Sequence, residues 1–171
     1  MTRTILETKR LALRKWTNDD CDALSEILRD EEVVRHVDDG KPFSREKTLE
    51  FLDAMKASLE KHGFFRWKVI ERSSGEMVGS CGFGRIFETG EIELGYLFGR
   101  NSWSKGYATE IAGAVMLYGF KNLGFHEIIA LTDPENTASQ KVLIKIGFAS
   151  RGIEVIGGED NLVFVKKKSD E

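Results

Sequence analysis

Apolar residues in this chain recur with two alternating periods, and the switches between them divide it into elements. Residues 11–16 read Leu-Ala-Leu-Arg-Lys-Trp, an alternation that predicts a short edge strand. Asn18, Asp19 and Asp20 follow as capping side chains for a helix carrying Ala23, Leu24, Ile27 and Leu28 at helical spacing. A second helix is expected after Pro42 and Phe43, with Ser44 as N-cap, Lys47 at its third position and Leu49, Phe51, Leu52, Met55 and Leu59 as its apolar residues. Beyond Phe64 the period shortens to two. Residues 65–71, 77–86 and 91–98 read as strands, joined by turns at Ser73-Ser74-Gly75 and Thr89-Gly90, which predicts an antiparallel meander. Helical spacing returns over about 108–122, with Ala108, Ile111, Ala112, Val115 and Gly119 on one face. A strand over 127–132, a helix over 139–146, a strand over 149–156, a turn at Gly157-Gly158-Glu159-Asp160 and a strand over 161–167 complete the order. The charged tail from Lys166 to Glu171 reads as a solvated end. No linker, repeat or low-complexity tract interrupts the pattern, so residues 1–171 are expected to form one domain with a core over about 7–167. The fold class is α/β (α+β): a mixed, mainly antiparallel central sheet flanked by helices.

Composition narrows the function. The 171 residues hold 25 Lys+Arg against 28 Asp+Glu, a net charge of −3, with 41% hydrophobic and 31% charged residues. That is the balance of a soluble domain, and its mild acidity argues against a nucleic-acid partner, which calls for a basic face. No apolar run reaches the ~18–20 residues of a membrane span, and residues 1–7 lack the apolar stretch of a signal peptide. Cys21 and Cys81 are the only cysteines, too few for a disulfide scaffold or a zinc cluster. A reduced, cytoplasmic protein without a metal is the expectation, with a homodimer left open.

Glycine is over-represented at 17 residues against 2 prolines, and many of them fall between Gly75 and Gly124. The stretch Gly99-Arg100-Asn101-Ser102-Trp103-Ser104-Lys105-Gly106-Tyr107-Ala108 follows a strand and opens a helix. The first backbone N–H groups of a helix have no internal partner and lie at the positive end of its dipole, so small residues there admit a phosphate. Gly106 and Ala108 are small, Arg100 and Lys105 add charge, and no carboxylate intervenes. An ordinary glycine turn accounts for the same residues. The spacing matches neither a P-loop nor a dinucleotide fingerprint.

Five blocks, the loop among them, carry a resemblance. They are Thr8-Lys9-Arg10-Leu11-Ala12-Leu13-Arg14, Gly75-Glu76-Met77-Val78-Gly79-Ser80, Glu91-Ile92-Glu93-Leu94-Gly95-Tyr96, Trp103-Ser104-Lys105-Gly106-Tyr107-Ala108-Thr109-Glu110, and Asn136-Thr137-Ala138-Ser139 with Lys145-Ile146-Gly147-Phe148. In this order the sequence resembles the GNAT superfamily of acetyl-CoA-dependent N-acetyltransferases, and within it the ribosomal-protein N-terminal (Rim-like) branch. The resemblance implies that Trp103, Ser104, Lys105, Gly106, Tyr107 and Ala108 bind the CoA pyrophosphate through backbone N–H groups. It implies that the backbone of Leu97 and Phe98 pairs with pantetheine, a ligand acting as an added strand. Asn136 and Ser139 complete the cofactor wall, although Asn136 also reads as a plain helix N-cap. Trp103 stands where the superfamily often has Gln or Arg.

Acetyl transfer to an amine needs an uncharged nitrogen, a polarised carbonyl and a tolerable thiolate. Deprotonating an α-amine of pKa ~8 costs about 1.4 kcal/mol at pH 7, against about 4.6 for a lysine near 10.4. Glu93 is the candidate base, because the matching strand of the family carries a carboxylate there; Glu91 shares its face by period two. Many relatives protonate the thiolate with a tyrosine at the position of Leu143, so Ser139 is the substitute donor, while Tyr96 is expected on the face opposite Glu93. A backbone N–H near Phe98 is expected to polarise the carbonyl. Cys81 has no His or Asp partner in sequence and reads as core, and His36, His62 and His126 lack metal-ligand spacing. The acidic turns Asp38-Asp39 and Glu159-Asp160 are candidate attractors of an ammonium group, or ordinary turns. The expected activity is transfer from acetyl-CoA to a primary amine, a protein N-terminus first and a small metabolite or drug amine second. A catalytically silent acyl-CoA-binding module is the reading from a different class.

Overall fold

The computed structural model describes residues 3–169; the outermost parts of the N-terminal stretch and of the charged tail (residues 1, 2, 170 and 171) lie outside the described residues. The strands are β1 (Thr4–Glu7), β2 (Leu11–Arg14), β3 (Arg66–Glu71), β4 (Met77–Arg85), β5 (Ile92–Phe98), β6 (Glu127–Thr132), β7 (Ala149–Ile156) and β8 (Glu159–Lys167). The helices are α1 (Cys21–Leu28), α2 (Glu31–Val34), α3 (Arg45–His62), α4 (Tyr107–Asn122) and α5 (Thr137–Lys145). All eight strands join one sheet in the order β1-β2-β3-β4-β5-β6-β8-β7, antiparallel throughout except where β5 meets β6. The expected class and the meander of β3, β4 and β5 are therefore present.

Residues 11–16 do not form an edge. Leu11, Ala12 and Leu13 are all buried, because β1 pairs along the outer side of β2 and closes it off from water. β1 and the short α2 are elements that the periodicity did not announce: four residues are too few to display a period. The helix boundaries follow local chemistry. Ser44 Oγ accepts the Lys47 N–H at 3.1 Å, and Gly63, at φ +74°, returns its N–H to the Leu59 carbonyl at 3.0 Å.

Strand alternation splits the core into two layers. Leu13, Trp67, Cys81, Phe83, Leu94 and Phe98 point to the face covered by α4 and α5, where they meet Ile111, Ala112, Val115 and Leu143. The opposite face is covered by the N-terminal helices through Trp16, Leu24, Leu28, Leu52 and Met55, against which Phe65, Met77 and Leu97 pack. A largely buried ion pair, Lys68 Nζ to Asp20 Oδ2 at 2.7 Å, fastens the start of α1 to β3.

Candidate active site

The site begins where the sheet opens. β5 and β6 share a single register pair, Glu93 with Ile129, and run in parallel. On its other side β5 is fully paired with β4, from Ile92 opposite Arg85 to Phe98 opposite Gly79. The Gly99 N–H bonds the Val78 carbonyl and the Ile86 N–H bonds the Glu91 carbonyl, each at 2.9 Å. Hydrogen-bonded pairs alternate along an antiparallel ladder, so the backbone groups of Glu93, Gly95 and Leu97 are spent on β4. Those of Tyr96 and Phe98 aim into the gap beyond the last β6 pair. This corrects the expectation for Leu97: its backbone faces β4, and Tyr96 takes its place beside Phe98 at the gap. The Phe98 carbonyl already accepts the Trp103 indole N–H at 2.8 Å.

The loop before α4 lies at the mouth of this gap. Ser104 and Gly106 have φ of +60° and +78°, and the first helical bond runs from the Glu110 N–H to the Gly106 carbonyl at 3.1 Å. The N–H groups of Tyr107, Ala108 and Thr109 thus lack helical partners, and no side chain caps them. Trp103, Ser104, Lys105 and Gly106 are exposed, Ala108 is half-buried and Tyr107 is buried. Charge is arranged differently from the linear sequence. Arg100 turns away to pair with Asp30, while Arg10 arrives from the β1–β2 turn, donates to the Lys105 carbonyl at 2.8 Å and stacks over Tyr107 at 4.7 Å. Two carboxylates come with it: Glu110 accepts from Arg10 Nε at 2.7 Å, and Glu71 accepts the Tyr107 hydroxyl. Lys105, 5.6 Å from the Tyr107 ring, forms no ion pair among the described residues.

Helix α5 makes the far wall. Asn136 Oδ1 accepts the Ser139 N–H at 3.2 Å, so Asn136 is the N-cap that the simpler reading required. Leu143 is fully buried in the core. Tyr96 points to this side, opposite Glu93 as expected, but its hydroxyl does something that sequence reasoning missed: it lies 2.8 Å from Ser139 Oγ and 3.2 Å from the Ser139 carbonyl. Burial pushes the Tyr96 phenol up to about 12, with the Ser139 bond offsetting part of the shift. A protonated phenol therefore stands one helical turn from the Leu143 position.

The other face of β5 carries Glu93. Its carboxylate leans over Gly84, the residue paired with it on β4; a Cβ there would lie 3.6 Å from Oε2. Two residues along, Arg66 of β3 crosses Gly82 and lays its guanidinium on the bare backbone of Gly95, where a Cβ would come within 2.3 Å of Nη2. Gly84, Gly82 and Gly95 thus form a floor for two charged groups. Burial pushes the Glu93 carboxyl above the ordinary range, and the Arg66 charge opposes that.

The remaining candidates separate cleanly. Glu91 is bound by Arg151 at 2.6 Å, which holds its carboxyl below the usual range and commits it to β7. Asp38 and Asp39 are taken by Lys47 at 2.7 and 3.4 Å, and Glu159 and Asp160 are exposed at the start of β8. Cys81 is buried and its thiol is pushed up to about 12 by desolvation, which makes it inert core. His36 reaches across to Asp133 at 3.0 Å, tying the end of α2 to the loop that enters α5. Among the described residues no group of three or more His, Cys, Asp or Glu is placed to hold a metal, and no helix is long and apolar enough to cross a membrane.

Known proteins agree with this architecture. Residues 10–149 match the family model of the acetyltransferase (GNAT) domain. An N-acetyltransferase of Bacillus licheniformis, p20, is 36% identical over 150 residues, spanning 86% of this chain and 84% of its own. A GNAT acetyltransferase structure from Bacillus anthracis superposes with a TM-score of 0.82 at 30% identity, covering 96% and 98% of the two chains. A Vibrio cholerae structure assigned as a ribosomal-protein-serine acetyltransferase gives 0.83 at 26% identity, covering 98% of this chain and 100% of that one. An open sheet with one parallel junction, an uncapped helix at its mouth and a match over most of the chain place this protein in the GNAT family of N-acetyltransferases.

Proposed function

We propose that the protein transfers an acetyl group from acetyl-CoA to an α-amine, with Glu93 as base and Tyr96, with Ser139, as the proton donor to sulfur. The observation that carries this reading is the parity of β5. Its unpaired backbone at Tyr96 and Phe98 lines the gap, while Glu93 stands on one face and the Tyr96 hydroxyl on the other. Acetyl-CoA fits the residues present. Three unpartnered N–H groups and Lys105 suit a pyrophosphate, and the open edge of β5 suits the amide groups of pantetheine. Its thioester supplies the activated acyl carbon.

Glu93 takes a proton from the acceptor ammonium, and the freed nitrogen forms a C–N bond to the acetyl carbon. The Phe98 N–H holds the carbonyl oxygen as charge develops on it. As the C–S bond breaks, the electron pair stays on sulfur and the Tyr96–Ser139 hydroxyl pair gives it a proton; the second proton of the former amine passes to water, and water restores the phenol and takes the proton held by Glu93. A single raised-pKa carboxylate suits an α-amine, whose deprotonation is about 3 kcal/mol easier than that of lysine. The Vibrio cholerae neighbour supports a protein N-terminus as the source of that amine; a cavity of about 460 Å³ between the α2–α3 connection, α3 and β3 supports a small molecule. A reduced compartment, in which the two buried thiols stay free, belongs to the same reading.

The test is a screen of N-terminal peptides and small amines with acetyl-CoA, scored by released thiol and by mass-spectrometric location of the acetyl group. Acetylated α-nitrogen is the expected product. Binding of acetyl-CoA with no acceptor turned over would leave the silent binding module as the better account.

A further inference from the structure

Arg66 is the charged group that the scheme above leaves unused. Its Nε is buried without a hydrogen-bond partner, and among the described residues no side chain or carbonyl accepts from its other nitrogens. A buried guanidine N–H with no acceptor is costly, and Arg66 as a whole is only part-buried, so its terminal nitrogens are left to meet solvent or a ligand in the adjoining cavity. The chain has nevertheless shaped a place for it, since Gly95 is bare beneath the guanidinium and any Cβ there would collide with it. Carboxylates are near but do not bind it: Glu93 lies on the same face two residues along, and Asp38 and Glu50 line the same cavity, all without an ion pair to Arg66. Lys47, the cavity's other cation, is neutralised by Asp38 and Asp39 and sits 4.1 Å over the Phe43 ring. The cationic edge left to the cavity is therefore that of Arg66, not the acidic turn that the sequence suggested for capturing an ammonium group.

Resting on the acetyltransferase reading, we infer that the acceptor carries a carboxylate that Arg66 binds while Glu93 receives the proton of the adjacent amine. Gly95, under the guanidinium, lies two residues from Glu93 along β5, a strand spacing of roughly 7 Å. An α-amino acid fills that span, with nitrogen toward Glu93 and carboxylate toward the planar fork, which accepts both oxygens at once. An acidic side chain at a polypeptide N-terminus presents the same chemistry from a different source.

The experiment compares acceptors that differ only in that group: α-amino acids against their α-carboxamides, and peptides beginning with Asp or Glu against Asn or Gln. Each is assayed with the parent, Arg66→Lys and Arg66→Gln at pH 8.5. The parent is expected to favour the carboxylate member of one series by at least about 30-fold in kcat/KM. Which series shows it identifies the source. Arg66→Gln should erase the preference through KM with kcat within a few-fold, and Arg66→Lys should keep part of it. Equal use of carboxylate and carboxamide by the parent, or an equal loss on both in Arg66→Gln, overturns the inference while leaving the acetyltransferase reading intact. A second readout does not depend on turnover. Calorimetry of the CoA-loaded protein should show N-acetyl-amino acids binding at least tenfold more tightly than their amides, and Arg66→Gln should abolish the difference; no difference in the parent overturns the inference.

Discussion

The Tyr96 hydroxyl and Ser139 Oγ lie 2.8 Å apart, so a phenol from strand β5 meets a helix-α5 hydroxyl across 43 residues of chain. Leu143 fills the helix position one turn further on, and a donor reaches the same region from the sheet instead.

Removing that donor has a defined effect. Tyr96→Phe should lower kcat by about 10²-fold, the range of a lost general acid, and leave the acetyl-CoA Kd within about threefold. Ser139→Ala should cost less, because the phenol remains. Steady-state kinetics with calorimetric binding checks both. Since the Tyr96 phenol titrates near 12, the parent should show no alkaline loss of activity from this group below pH 10.

Glu93→Gln separates stability from activity. Burial raises the folded-state pKa of Glu93 above its unfolded value, so the neutral form favours folding. That contribution is complete below the unfolded pKa and is lost as pH rises through the folded pKa. The variant should melt above the parent at pH 8, with the advantage vanishing toward pH 4. Its turnover should fall, and the limb of the pH–rate profile that lies above the ordinary carboxylate range should disappear. Thermal melts and rate profiles on the same samples test this.

Gly106→Ala probes the loop. At φ +78° an alanine costs about 1–2 kcal/mol, and in this loop the cost falls on the conformation that exposes the three free N–H groups. The acetyl-CoA Kd should rise about tenfold, with kcat at saturation nearly unchanged. Lys105→Ala should also weaken binding and flatten its salt dependence.

Asp20→Asn leaves Lys68 of β3 charged and buried without its carboxylate. A loss of about 3–5 kcal/mol is expected by denaturant unfolding, since a buried charge without its partner is the expensive case.

Cys81 should resist alkylation at pH 8 in the native state and react on unfolding, and Cys81→Ala should keep activity.

Much of the fold was legible because the meander strands are short runs rich in apolar residues and the turns between them carry Gly75 and Gly90 at positive φ. The loop at Gly106, the Ser44 and Asn136 caps and the face of Glu93 were likewise legible, being matters of local chemistry or period two. β1 escaped because Ile5 and Leu6 are adjacent apolar residues in a four-residue strand, and its presence turned the expected edge at residues 11–16 into an interior strand. Which backbone groups of β5 are free could not be read either, because the phase of the β4 ladder decides it. The same holds for Tyr96 with Ser139, Arg10 with Glu110 and Arg66 on Gly95: each is a meeting of distant segments that leaves no local pattern.

The two-sidedness of β5 makes it the common ruler of the proposed reaction. In that scheme Tyr96 and Phe98 measure out the donor by their backbone and Glu93 measures out the acceptor by its side chain, so donor and acceptor are indexed by one register. A single-residue insertion just ahead of Glu93, with the preceding residues held in place, would send Glu93 toward the core and the phenol toward the opposite face, destroying both halves together. Changes in α2, α3 or at Arg66 shift no index on that ruler. New acceptors can therefore be explored there while the acetyl group stays in place, which gives the scaffold a fixed chemistry and an adjustable client.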